Sequence, residues 1–309
     1  MVGIVTLNPC LDKTLFLDQL PAGGIHTARR VACIAGGKGN NVARVLGALG
    51  VDCRGFVPVA GEAGLRLRHL MAEERLDAAF VELPGQTRTV TTLVGADWRQ
   101  LAVKEPGPQL SDTEARMLFA EFLRFLDGVD LLALCGGPPC PTLDDFFPDA
   151  VAEARRRGIP VLLDADGAAL RRGLAAGPDW CKPNEDEAAA LLERPVHTPA
   201  AERAALEALY ACGARRPMLS LGARGALLRD GDRLLHAVPP QVSTVNPVGS
   251  GDSFVAGFLY GVAAGLSSAD CLRWAAAAGA ANAAEWDAAC VGRPQIEPLV
   301  SRVRVTPLS

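Results

Sequence analysis

Short apolar runs alternate with stretches of helical periodicity along almost the whole chain, and no other feature narrows the possible folds as far. The runs at 2–7, 54–59, 131–135, 161–164, 180–182, 218–221 and 226–229 read as strands. Residues 41–49, 63–74, 112–126, 143–157, 185–192, 200–212, 253–264 and 269–284 carry apolar side chains at helical spacing. Continuously apolar strands must be covered on both faces, and a strand–helix alternation supplies that cover. The pattern predicts an α/β fold with a mostly parallel central sheet and helices on both faces. Ligands in such sheets sit beyond the carboxyl ends of the strands, so the residues just after each run become candidates. Residues 12–34 and 87–103 break the rhythm. They are polar and β-branched, and 87–94 alternates with the period of a strand. They predict a small β-sheet lid inserted twice into one domain spanning 1–309. The apolar face of that lid needs cover, and a second copy of the chain would provide it.

A chain of 309 residues, 49% apolar, can bury a sizeable core, which excludes disorder. Its net charge of −4 and the lack of a long basic run argue against a nucleic acid or a membrane surface as partner. Arg155-Arg156-Arg157 fits the end of a helix, where cations meet the dipole. The nine cysteines are scattered without a Cys-x-x-Cys pair and read as free thiols of a reducing compartment. The four histidines lack metal-ligand spacing. The Ala-rich stretch at 275–284 is too short and too broken to span a bilayer, and no charged leader precedes the first strand. A cytoplasmic protein is expected.

The most informative motif is Asn246-Pro247-Val248-Gly249-Ser250-Gly251-Asp252-Ser253-Phe254. A Gly-rich turn entering a helix presents unpaired amides that suit an anion. A carboxylate there would repel an anion, unless Asp252 takes a proton from a hydroxyl while the amides of Gly249, Ser250 and Gly251 hold phosphoryl oxygens. A plain N-cap Asp is the alternative. Gly36-Gly37-Lys38-Gly39-Asn40-Asn41 precedes another helix. Its glycines permit close approach, Lys38 brings a cation, and Asn41 can both donate and accept. Neither a Walker A loop nor a dinucleotide fingerprint is present.

Asp12, just past the first strand in Asn8-Pro9-Cys10-Leu11-Asp12, can accept two hydroxyls, although a turn Asp looks the same. Asn184 and Glu187 in Lys182-Pro183-Asn184-Glu185-Asp186-Glu187 share a helix face and suit a hydrated Mg²⁺, or else simply open the helix. The turn at Ser220-Leu221-Gly222-Ala223-Arg224-Gly225 could receive a nucleotide. Arg88 in the lid would fork onto a phosphate if it points inward.

Taken in order, these motifs resemble the ribokinase-like (PfkB) carbohydrate kinases. The likeness runs from Thr6-Leu7-Asn8-Pro9 with Asp12, through Ala35-Gly36-Gly37-Lys38-Gly39, Thr87-Arg88, Glu105-Pro106-Gly107-Pro108, Lys182-Pro183-Asn184 and Ser220-Leu221-Gly222, to Gly249-Ser250-Gly251-Asp252. Within the family the chain looks most like the bacterial hexose-phosphate branch, which includes 1-phosphofructokinases and tagatose-6-phosphate kinases. The resemblance implies an ATP-dependent kinase of a ketohexose phosphate that uses Mg²⁺ and dimerises through its lid sheet. It implies that Asp252 is the general base and that Gly249, Ser250 and Gly251 form the anion hole. Asp12, Gly37 and Asn41 would bind sugar hydroxyls, while Lys38 and Arg88 would meet the substrate's phosphate. Lys182, Asn184, Glu187, Ser220, Gly222 and Gly225 would serve the nucleotide, with Asn282 near the adenine and with Asn184 and Glu187 holding Mg²⁺ through water.

Several positions depart from the family pattern: Cys135-Gly136-Gly137-Pro138-Pro139, Asp166, His26-Thr27, Val90 and Thr92. They leave the acceptor open, and where the resemblance implies a further phosphate-binding Arg, Lys104 could compensate. Two other readings fit the residues: a kinase of an unphosphorylated sugar or nucleoside on the same fold, and a non-catalytic sensor of nucleotide or sugar phosphate.

Overall fold

The computed structural model of the chain describes residues 1–20 and 23–308. Residues 21 and 22, inside the first predicted lid stretch, and residue 309 lie outside the described residues.

The main sheet is built from β1 (Val2–Thr6), β4 (Cys53–Ala60), β5 (Ala78–Leu83), β8 (Leu131–Cys135), β9 (Val161–Asp164), β10 (Trp180–Cys181), β11 (Arg216–Ser220), β12 (Ala226–Asp230), β13 (Arg233–Val238) and β14 (Arg304–Leu308). Its ten strands run in the order β14-β13-β12-β11-β10-β9-β8-β1-β4-β5. From β5 to β11 the pairing is parallel; β12, β13 and β14 close the far edge antiparallel.

Strand residues alternate between two cores, as the pleat requires. Val2, Ile4, Leu131, Ala133 and Leu162 face one side, packed under α1 (Lys38–Ala48), α8 (Ser250–Ala263), α9 (Ser268–Ala283) and α10 (Arg293–Val300). Val5, Leu7, Leu132, Leu134 and Leu163 face the other side, with α3 (Asp112–Phe125), α4 (Phe146–Arg156) and α5 (Gly167–Ala175). The helices α6 (Glu185–Leu192) and α7 (Pro199–Ala211) cover β11 and β12 on that side. The Ala-rich stretch of α9 serves close helix packing. A Cβ at Gly257 of α8 would lie 2.5 Å from the Trp274 carbonyl oxygen, so the two backbones nearly touch. Among the described residues no helix is long and apolar enough to cross a membrane.

The lid is a separate four-stranded sheet in the order β3-β2-β6-β7. It comprises β2 (Cys10–Phe16), β3 (Arg30–Gly36), β6 (Arg88–Val94) and β7 (Gln100–Lys104), close to the predicted stretches. Between β4 and β5, α2 (Gly61–Glu73) packs beneath the lid. At the lid tip the Trp98 and Trp286 ring centroids are 4.3 Å apart, with Phe16 5.8 Å from Trp286.

Two helices begin earlier than their sequence patterns indicate. α1 starts at Lys38, so Gly37 is its cap and Lys38-Gly39 already belong to its first turn. α8 starts at Ser250, which puts Asp252 in its first turn. Glycine disfavours helix, yet close approach demands it here: a Cβ on Gly39 would sit 2.1 Å from Thr6 Oγ1.

Candidate active site

The carboxyl ends of β1, β8, β9 and β10 meet the amino ends of α1 and α8, and the predicted site residues gather around this junction. Gly249 is the cap residue of α8, with φ of 80°. A Cβ there would be strained and would meet Ala289 N at 2.9 Å. The turn is pinned from behind by Asn282, which is wholly buried. Its Nδ2 donates to the Val248 carbonyl at 2.8 Å and to Ser250 Oγ at 3.0 Å, while its Oδ1 accepts from Ala289 N at 2.6 Å. The Asn282 amide is therefore engaged in bracing the turn. Ser250 N–H donates to the Pro247 carbonyl at 3.1 Å. Among the described residues the amides of Gly249, Gly251 and Asp252 make no hydrogen bond, so the cradle is offset by one residue from the predicted set.

Asp252 does not cap its helix. Its Oδ2 accepts from Asn41 Nδ2 at 2.7 Å, across from α1. Only 7% of the residue is exposed. Burial, and next the negative charge of Asp164, push its pKa up to about 6, against the Asn41 hydrogen bond and the cations Lys38 and Lys182. A carboxylate tuned this way can take a proton near neutral pH.

Lys182 and Asp164 form a buried ion pair, Nζ to Oδ1 3.1 Å, with side chains 4% and 1% exposed. Burial pulls the lysine's pKa down, but the carboxylates of Asp164 and Glu187 outweigh it and the ammonium is held charged. A Cβ on Gly251 would be 3.7 Å from Lys182 Nζ, which places that charge beside the open amides.

Lys38 Nζ lies 3.6 Å from Glu187 Oε1 and 4.0 Å from Asp166 Oδ2. Its pKa is raised, first by Asp164 and, against burial, by Glu187, Asp252 and Asp166. It stands among the acids of the main domain. Cys135, wholly buried at the end of β8 near the same groups, has its thiol pushed far up by burial, which makes it an inert packing group.

Asn184 and Glu187 form a reciprocal capping box on α6: Asn184 Oδ1 accepts from Glu187 N at 2.8 Å, and Glu187 Oε2 accepts from Asn184 N at 2.9 Å. The capping alternative thus describes these side chains, with Glu187 Oε1 left toward Lys38. Ser220 bridges to Asn184 across the strand ends, and its hydroxyl lies 3.5 Å from the Pro183 carbonyl oxygen. Gly222 opens onto free space. A Cβ on Gly225 would be 1.8 Å from the Ala237 carbonyl oxygen, so that glycine is demanded by the turn.

On the lid, Asp12 is opposite Ile34 and Val90, and Val90 is opposite Lys104. Arg88, two residues before Val90, shares that face. Its Nη2 donates to the Asn8 carbonyl at 3.1 Å, while its buried Nε has no partner among the described residues. Burial raises the Asp12 pKa, opposed by Arg44 and Arg88. Gly37, at φ 116°, lies against Thr6 at the lid's exit.

Sequence reasoning gave no role to Asp164 or Arg44. Asp164 ends a strand on the ligand side, and Arg44 follows Asn41 by three residues on one helix face; those were the available signals.

A cleft of about 640 Å³ lies at the other end of the strands, before β9, β10 and β11, lined by Arg155, Arg156 and Arg215 among others. Those guanidinium groups are engaged with the Ala176 carbonyl, Glu153 and Asp179, at the helix ends whose dipoles repel anions.

A tuned carboxylate beside open amides and a fixed ammonium, roofed by a lid carrying an acid and a guanidinium, defines a phosphotransferase with an alcohol acceptor. The comparisons make the assignment specific: residues 4–289 match the pfkB family carbohydrate kinase profile, and the chain belongs to that family. It is a carbohydrate kinase, with ATP as phosphoryl donor. It is similar to the 1-phosphofructokinase of Haemophilus influenzae, 29% identical over 99% of this chain and 98% of that one. Phosphofructokinase-2 from Escherichia coli superposes with a TM-score of 0.90, at 29% identity and 98% coverage of both chains. That enzyme has also been solved with fructose-6-phosphate and in a tetrameric inhibited form. Arabidopsis thaliana ribokinase shares the fold, with a TM-score of 0.80 at 22% identity over 97% of this chain and 98% of that one.

Proposed function

We propose that the chain transfers the γ-phosphoryl group of ATP to a hydroxyl of a ketohexose phosphate, as its phosphofructokinase relatives do by name. The observation that carries this reading is the Asp252 carboxylate, pushed up to about 6 and set in the first turn of a helix with open amides.

Asp12, with the second N–H of Asn41, binds acceptor hydroxyls beneath the lid. Arg88 receives the substrate's phosphate, and Lys104 on the same lid face adds charge. Asp252 takes the hydroxyl proton as the phosphoryl group moves in line, and the amides of Gly249 and Gly251 hold its oxygens. Lys182 and Lys38 balance the charge of the nucleotide phosphates, bound between Lys182–Glu187 and Ser220–Gly225. Closure of the lid keeps water from competing as acceptor.

Mg²⁺ fits this site as a largely hydrated ion. Among the described residues no group of three or more His, Cys, Asp or Glu could cage a metal, and Mg²⁺ bound to phosphates needs only one or two carboxylates. Glu187 keeps Oε1 for that purpose, and the Asn184 oxygen is already shared with the helix cap. The ion would neutralise charge on the transferring group.

The lid's outer face supports a homodimer. Val31, Leu101 and Val103 are 55%, 51% and 59% exposed there, an apolar surface that a second copy would cover.

The test is ADP release over a panel of fructose 1-phosphate, fructose 6-phosphate, tagatose 6-phosphate, fructose, ribose and a nucleoside. Turnover confined to the phosphorylated ketoses supports the reading. Preference for a plain sugar or nucleoside overturns the acceptor class, and no turnover with any acceptor leaves the sensor reading.

A further inference from the structure

Arg44 and Glu74 play no part in the chemistry above, yet they stand directly behind it. Arg44 Nη1 donates to Asn41 Oδ1 at 2.8 Å. Arg44 Nε and Nη2 grip Glu74 Oε2 at 2.7 and 2.6 Å, and Nη2 also donates to the Ala35 carbonyl at 2.7 Å. Glu74 Oε1 accepts from Ala35 N at 2.9 Å. The two side chains are only 11% and 20% exposed. Asn41 then reaches Asp252 at 2.7 Å.

A guanidinium group can only donate. The Asn41 atom facing it must therefore be the amide oxygen, and this turns the NH₂ toward the Asp252 carboxylate. Without Arg44, the amide is free to rotate its oxygen toward Asp252, where two acceptors repel. Ala35 is equally constrained, because both its N–H and its carbonyl are held by the Arg44–Glu74 pair. It is the penultimate residue of lid strand β3, followed by Gly36 and then the Gly37 cap of α1.

We propose that Arg44, braced by Glu74, is a positioning residue for phosphoryl transfer: it fixes the Asn41 amide so that Asp252 is aimed and kept ionised, and it couples that arrangement to the lid's exit strand. This rests on Asp252 being the base. The other titratable groups around Asp252 are Asp164 of β9, Lys38 of α1, Lys182 after β10 and Cys135 of β8. None of them changes in the variants below.

The experiment measures kcat and kcat/KM against pH for Arg44→Met, Glu74→Gln and Asp252→Asn, using a ketohexose phosphate the wild type turns over, with thermal melts alongside. Arg44→Met is expected to lower kcat by about 10- to 100-fold, the scale of a slightly misplaced reacting group, with little change in KM for ATP. The acidic limb of kcat/KM should move to higher pH, because the lost Asn41 N–H favoured the ionised carboxylate. Glu74→Gln should give a smaller loss and the same direction of shift, and it decides alone if Arg44→Met fails to fold. A folded variant with wild-type kcat and an unmoved acidic limb overturns the proposal, even if its melting temperature drops, because an ion pair that merely staples α1 to α2 predicts that result. Turnover surviving in Asp252→Asn removes the base assignment itself, and the positioning role with it.

Discussion

Asp252 and Arg88 belong to the two halves of the proposed site, the main domain and the lid, and the chain holds them by different means. The floor is made of buried, mutually braced parts. Ser253 and Asn282 are wholly buried, Lys182 is locked against Asp164, and the Gly249 turn is tied to the loop at Ala289. The roof is thin. Every residue of β7 is exposed, and most of β2 and β6 is only half buried. Groups on well-packed helix and strand ends keep sub-ångström placement, which proton transfer needs, whereas lightly packed elements can open and close. The departures divide along the same line. His26-Thr27, Val90 and Thr92 belong to the lid, the acceptor's side in the proposed function; Cys135 and Asp166 border the floor, the side of the proposed chemistry.

Substitutions on the two sides should therefore fail differently. Asp252→Asn, on the floor, is expected to cost about 10²–10⁴-fold in kcat with ATP binding retained, measured by steady-state kinetics and nucleotide titration. Lys182→Met leaves Asp164 buried without its cation and should destabilise the fold by about 3–5 kcal/mol, read from denaturant melts. Arg88→Ala, on the roof, should raise KM for a phosphorylated sugar by about 10- to 100-fold, the worth of charged hydrogen bonds, with little change in KM for ATP. For the wild type, kcat/KM should decline as the pH drops through about 6, since Asp252 then gains the proton it must be free to accept. Val103→Lys, on the outer lid face, should change stability by no more than about 0.5 kcal/mol but shift the protein toward monomer in sedimentation. A roof variant that lost kcat alone, or a floor variant that altered only sugar KM, would erase the distinction.

What could be read in the sequence follows from how local each determinant is. The alternation of strand and helix is written in adjacent residues and emerges as read; the Gly249–Asp252 turn is just as local, but its open amides are those of Gly249, Gly251 and Asp252. The bracing role of Asn282 was not legible because its partners, Val248, Ser250 and Ala289, reach it only through tertiary packing. The surroundings of Lys38 were equally hidden: its acidic neighbours come from the end of β9 and the residues just after it, and from the first turns of α6 and α8. The strands β13 and β14 escaped notice because, Ala237 excepted, their residues are only half-buried or exposed and give no continuous apolar run. α5 was hidden by a glycine at its first position and α10 by Pro298 in its interior.

The paired rings of Trp98 and Trp286 bridge the lid tip and the main domain. Indole emission responds to a neighbouring ring and to water, so a lid that lifts away changes the intrinsic fluorescence of the protein without any label. The molecule thus carries its own optical gauge of opening, and stopped-flow mixing with sugar or nucleotide would show which of them draws the roof down.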